Sequence, residues 1–114
     1  MVISQGDVWW ADLPEPVGSR AGYPRPVVVV QGDRFNRSAI DTVVCVPLTT
    51  NLRLGGLPGN VLLSARLTGL PKASVANVSL ILSFDKELLT ERTGKIPEDK
   101  LELVLSGIDV VLGR

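Results

Sequence analysis

This chain of 114 residues has no histidine and a single cysteine. Those shortages exclude disulfide frameworks and remove zinc sites and Cys/His nucleophiles from the chemistry open to it. Excess charge is missing as well. Twelve Lys and Arg balance twelve Asp and Glu, whereas a nonspecific nucleic-acid binder is normally strongly basic. No apolar run approaches the length that spans a bilayer, and the start MVISQGDVWW lacks a basic segment followed by a long apolar one. The expectation is a soluble cytoplasmic protein with no membrane partner. Cys45, inside the apolar run TVVCVPL, reads as a small core residue.

What the chain does contain is a series of short apolar segments separated by turn residues, the pattern of an all-β domain. Its length predicts one domain over residues 1–114, small enough for oligomerisation to help bury surface. VWWADL after Gly6-Asp7 reads as a first strand, and the valine run after Pro26 as a strand buried on both faces. TVVCVPL, NVLLSARL and SVANVSLILSF read as further strands. Two long loops rich in glycine interrupt them, PEPVGSRAGYPR and TTNLRLGGLPG, and loops of that length in a compact domain are usually functional. A shorter helical turn is expected near DKELLTER. The end differs: Leu101, Val104, Leu105, Ile108, Val111 and Leu112 share one helical face, Pro97 suits the first turn, and Glu98 and Asp99 suit the positive end of the dipole. The sum is a mainly β fold, a small barrel or strongly bent sheet of five to seven strands, with a C-terminal helix packed on it.

Charge is unevenly spread. Seven basic residues face two acidic ones from Arg20 to Lys72, and from Ala73 onward five basic meet seven acidic, so one half of the sequence is able to present a positive surface. Within it, Arg25 stands between Pro24 and Pro26, which leaves its backbone little freedom. A guanidinium keeps its proton in a protein and is seldom buried unpaired, so a rigidly mounted one suits an anion. The alternative is a strand-entry arginine in a surface ion pair. The polar residues around the two loops are Ser19, Arg20, Arg25, Gln31, Asn36, Arg37, Thr49, Thr50, Asn51 and Arg53. They include no conventional base and no carboxylate pair, which makes hydrolysis through an activated water hard to build. RNA offers another route, because its 2′-hydroxyl is a nucleophile already tethered beside the phosphate. Arginine holds phosphate oxygens with charge-assisted bonds, and a threonine hydroxyl donates where charge develops.

GDVWWADL, the later GS, RPVVVVQGD with FNR, VCVPLTTN, GNV and SVANV follow one another in the order and spacing of the MazF/PemK-like toxin endoribonucleases of bacterial toxin–antitoxin pairs. The chain resembles that family over essentially its whole length. The resemblance implies an SH3-like β-barrel with helices, a homodimer, and metal-independent cleavage of single-stranded RNA (messenger, transfer or ribosomal) to a 2′,3′-cyclic phosphate and a 5′-hydroxyl. It implies no cofactor, and an acidic cognate antitoxin whose disordered tail blocks the site. By position, Arg25 matches the family's catalytic arginine and Thr49 its catalytic threonine, with Thr50 adjacent. Ser19 and Gln31 fall where relatives contact substrate, and Arg20, Asn36, Thr50, Arg53 and Ser74 complete the expected RNA-binding set. Two departures stand out. Ala73 precedes Ser74 where many relatives carry an aspartate, and the branch that uses a histidine in the first long loop is excluded as a guide.

Two rivals use the same kind of barrel, a gyrase-poisoning toxin of the CcdB type and a noncatalytic barrel that binds RNA or peptide. Arg25 and the Thr49 region favour the nuclease, since neither rival needs a pair that handles phosphate. Trp9 and Trp10 alternate across a strand, so one is expected in the core and the other near a surface. Tyr23 and Phe35 are expected closer to the rim, where an aromatic ring stacks a splayed base.

Overall fold

A computed structural model describes residues 1–14 and 23–114. Its elements run β1 (Asp7–Leu13), β2 (Tyr23–Val29), α1 (Asp33–Asn36), β3 (Thr42–Thr49), β4 (Val61–Leu63), α2 (Ala65–Thr68), β5 (Ser74–Ala76), β6 (Leu82–Asp85), β7 (Leu89–Lys95) and α3 (Glu98–Leu112). Single 3₁₀ turns occupy Leu52–Gly56, Val78–Leu80 and Lys86–Leu88. The seven strands form one bent sheet in the order β4-β5-β3-β2-β1-β7, with β6 paired to β3 off that path, and each pairing is antiparallel. This is the mainly β architecture with a C-terminal helix that the strand pattern predicts.

Period-two alternation explains how the central strands bury both faces. Val28 and Val30 join Val8, Val46, Leu48, Leu101 and Val104 in one cluster. Their neighbours Val27 and Val29 join Trp9, Val43, Cys45, Phe84 and Leu89 in the other. Val27, Val28 and Val29 are fully buried, each contributing about 1.5–3 kcal/mol of transfer free energy. Cys45 is fully buried as well, and burial pushes its thiol far above the usual range, so it is the core residue that its setting predicts.

Helix α3 lies over the first cluster through Leu101 and Val104. Gly107 is buried in its interior, at a position where glycine costs about 1 kcal/mol relative to alanine. The reason is close packing: a Cβ on Gly107 would run into the carbonyl of Gly59, which itself adopts a positive φ of 84°. The Gly6-Asp7 motif is likewise structural. Gly6 has a φ of 93°, and the buried Asp7 carboxylate accepts from the Ser4 amide at 2.9 Å and pairs with Arg92 Nε at 3.2 Å.

Three segments depart from expectation. SVANVSLILSF divides into β5 and β6 around the 3₁₀ turn Val78–Leu80. NVLLSARL gives a strand of three residues and then a single turn of helix, α2, because Gly69 in the left-handed region (φ 76°) stops the helix and turns the chain. DKELLTER holds only a 3₁₀ turn and then becomes β7, which pairs along the outer edge of β1. An available sheet edge outweighs local helical spacing.

Candidate active site

The site is built where two strands part. β2 and β3 pair at Val29 with Cys45, Val28 with Val46 and Val27 with Pro47, and there their ladder stops. β2 continues against β1, with Arg25 opposite Ala11 and Tyr23 opposite Leu13. β3 continues against β5, with Leu48 opposite Ala76 and Thr49 opposite Val75. Pro24 and Pro26 fall at the positions of β2 that face β3 and have no N–H to give, so the sequence itself removes the donors that would keep the ladder zipped. The resulting wedge opens a cavity of about 390 Å³. One wall carries Trp10, Pro24, Arg25 and Pro26, the apex Leu48, Thr49 and Thr50, and the far wall Leu70, Pro71, Lys72 and Ser74.

Arg25 and Thr49 each lie two residues beyond the last β2–β3 pair, on opposite lips of the wedge. The Arg25 Nε is buried and, among the described residues, has no hydrogen-bond partner. An orphaned donor of this kind costs about 1–3 kcal/mol, and a guanidinium directed into a cavity is an unmet demand for an anion. Among the described residues neither Arg25 nor Lys72 has a carboxylate within ion-pair distance, and no carboxylate is among the residues lining the cavity. The Thr49 oxygen accepts from the Asn51 amide at 3.2 Å. That bond occupies a lone pair and leaves the hydroxyl proton free to donate. Thr49 thus both ends its strand and presents an oriented donor.

The expected site residues separate into groups. Arg25, Thr49, Thr50 and Ser74 meet in the cavity. Ser74 is 1% exposed, and its hydroxyl makes a long contact, 3.5 Å, with the Lys72 carbonyl. Arg53 is exposed on the 3₁₀ turn that follows Thr50 and does not line the cavity. Ser19 and Arg20 lie outside the described residues. Gln31 and Asn36 are placed differently from the expected RNA contacts. Gln31 is six residues beyond Arg25 on the same strand path, about 20 Å at the rise of a β-strand. There Gln31 Nε2 donates to Asn36 Oδ1 at 3.0 Å and to the Thr42 carbonyl at 3.1 Å, while Asn36 Nδ2 donates to the Gln31 carbonyl at 2.8 Å. Both are buried, and their amides hold the β2–β3 turn together. Phe35, 60% exposed on α1, shares that end of the molecule and not the rim of the cavity.

Trp9 and Trp10 divide as their alternation predicts, Trp9 in the core and Trp10 half-buried in the cavity wall. Trp10, Leu70 and Lys72 are among the lining residues absent from the expected set. Trp10 was flagged by its alternation alone, and Lys72 by its place at the end of the basic half of the sequence.

A wedge in a bent antiparallel half-barrel thus brings an arginine and a threonine hydroxyl to one cavity that carries two cations and, among its lining residues, no carboxylate. Residues 4–112 match the family model of PemK-like, MazF-like toxins of type II toxin–antitoxin systems, and the chain belongs to that family. It is 43% identical over 112 residues to Endoribonuclease MazF2 of Mycobacterium bovis, covering 98% of each chain. It is 31% identical over 112 residues to Endoribonuclease EndoA of Bacillus subtilis, covering 98% of this chain and 96% of that one. In fold it is similar to MazF of Deinococcus radiodurans, with a TM-score of 0.83 at 23% identity over 100% of this chain and 99% of that one. It also resembles a mycobacterial endoribonuclease solved with its cognate antitoxin, with a TM-score of 0.72 at 22% identity over 98% and 94% of the two chains.

Proposed function

We propose that this protein is the endoribonuclease toxin of a type II toxin–antitoxin pair, a single domain that cuts single-stranded RNA in the cytoplasm and so arrests translation and growth. The observation that carries the reading is the meeting of Arg25, whose buried Nε has no partner among the described residues, and Thr49 at the lips of one cavity. In the reaction the substrate's own 2′-oxygen attacks the adjacent phosphorus. The 2′-O–P bond forms, the bond from phosphorus to the 5′ oxygen breaks, the 2′ proton passes to water, and the departing oxygen takes a proton from water. The products are a 2′,3′-cyclic phosphate and a 5′-hydroxyl. Arg25 supplies a fork of donors for the phosphate oxygens, and the Thr49 hydroxyl donates to the oxygen on which charge builds. The chain brings no metal or cofactor into this scheme, because the nucleophile and the phosphate are both parts of the substrate.

A homodimer suits a domain small enough to gain buried surface from association. An acidic antitoxin suits the two cations in the open cavity, where a tail rich in carboxylates would compete with RNA for them. No helix among the described residues is long and apolar enough to cross a membrane.

The test is incubation of purified protein with a long single-stranded RNA in EDTA, wild type beside Arg25→Ala, with both new ends mapped. Cuts at a recurrent short sequence with cyclic phosphate ends, absent in the variant, are the expected result. Diverse RNAs left intact by a protein that still arrests growth would sink the nuclease reading and turn attention to gyrase.

A further inference from the structure

The far wall of the wedge carries a second cation. Lys72 stands two residues before β5, whose Val75 pairs with Thr49. The strand order β2-β3-β5 therefore puts Arg25 and the approach to β5 on opposite sides of the threonine. The two cations thus flank the threonine from the strands on either side of β3, with the open wedge between them to take one phosphodiester. The backbone that carries Lys72 is restrained on both sides. Pro71 precedes it, and the buried Ser74 turns its hydroxyl toward the Lys72 carbonyl. Lys72 is exposed, lines the cavity, and has no ion-pair partner among the described residues. Its immediate neighbour is Ala73, so the segment brings a positive charge to this wall with no acid beside it.

Resting on the nuclease reading above, we propose that Lys72 is the second phosphate-binding residue of the site. Its ammonium meets the scissile phosphate from the side opposite the Arg25 guanidinium, with Thr49 between them. The extra negative charge that develops as the 2′-oxygen adds to phosphorus is then shared by two cations. Lys72 acts by charge and takes no part in proton transfer. The hydroxyl of Ser74 has a positioning role, holding the turn that aims the lysine, and the expected RNA contact at this wall passes from Ser74 to Lys72.

Lys72→Ala, Lys72→Arg and Lys72→Glu test this against wild type, using an oligonucleotide that spans a mapped cut. A 2′-methoxy version of the same oligonucleotide serves for binding. The expected loss of kcat/KM in Lys72→Ala is about 10- to 100-fold, the range for a hydrogen bond to a charged group. Lys72→Arg restores most of it, and Lys72→Glu loses more than Lys72→Ala. The slope of log affinity against log salt becomes shallower by about 0.7 in Lys72→Ala, one phosphate contact on a single strand. Equal cutting and an equal slope in wild type and Lys72→Ala would overturn the assignment. So would a loss that arginine does not restore and that leaves the slope unchanged, the pattern of a packing role. If wild type itself fails to cut, the nuclease reading fails, while the salt slope of RNA binding still reports on Lys72.

Discussion

Arg25 and Thr49 face each other across the split between β2 and β3, each two residues past the last paired position, and among the described residues the buried guanidinium Nε has no partner. Catalysis and stability make opposite demands on such a group. Arg25→Ala is expected to lower kcat by about 100- to 1,000-fold, the effect of removing one preorganised donor. Because the variant also removes an unsatisfied buried donor, its melting temperature should equal or exceed that of wild type. Arg25→Lys should recover little activity, since an ammonium lacks the planar fork. A melting temperature well below wild type in Arg25→Ala would show that the arginine holds the fold together.

The adjacent threonines are expected to differ. Thr49 has its oxygen fixed by the Asn51 amide at 3.2 Å, whereas Thr50 is exposed beside it. Thr49→Val should reduce kcat about 100-fold with KM little changed, as befits a donor used in the transition state. Thr49→Ser should keep most of the activity, and Thr50→Val should act mainly on KM. Single-turnover kinetics on one oligonucleotide separates these outcomes, and the reverse ranking would move the catalytic hydroxyl to Thr50.

Gly107→Ala pits helix propensity against packing. Alanine gains about 1 kcal/mol in a helix interior, but here its Cβ would run into the Gly59 carbonyl. The Gly59 oxygen is backbone and the Cβ is fixed to the helix backbone, so relief requires α3 or the turn to move. Net destabilisation of about 1–3 kcal/mol is expected, the range for overpacked cores. Urea denaturation reads the difference, and a more stable variant would mean that the helix has room to shift.

The β2–β3 turn should be sensitive to acid. The Asp33 carboxylate is held below its ordinary value of 3.8, first by the Gln5 amide at 2.7 Å and then by the Asn36 side chain at 3.1 Å, against a smaller opposing effect of burial. A lowered folded-state value means that this contribution to stability is fully present above 3.8 and is lost as pH falls through the lower folded value. Asp33→Asn should therefore flatten the fall in melting temperature between neutral pH and about pH 2.5, where ordinary carboxylates are largely protonated. Parallel melting curves for variant and wild type over that range would show that Asp33 adds nothing to the acid transition.

Local rules made some elements legible and hid others. The valine run read as a doubly buried strand because its apolar residues are continuous, and α3 read as a helix because six apolar residues share one face. β7 was hidden because LTER carries no strong strand pattern and pairs only once β1 offers an edge. In the site, Arg25 and Thr49 stood out through proline punctuation and the threonine pair at a strand end. Lys72 and Trp10 reach the cavity through pairings far apart in sequence, and no local pattern reports those. Gln31 and Asn36 belong to the expected RNA contacts through the resemblance, Gln31 because it falls where relatives contact substrate. Their burial follows from the closure of the turn on itself, which is decided by three-dimensional packing.

The walls of the wedge come from β1, β2, β3 and the segment before β5, and β1 has its outer edge completed by residues 89–95. A chain emerging from the ribosome therefore holds Arg25 and Thr49 long before the frame around them closes. The frame closes only with the last quarter of the protein, so the assembly of the cavity waits on the residues that are translated last.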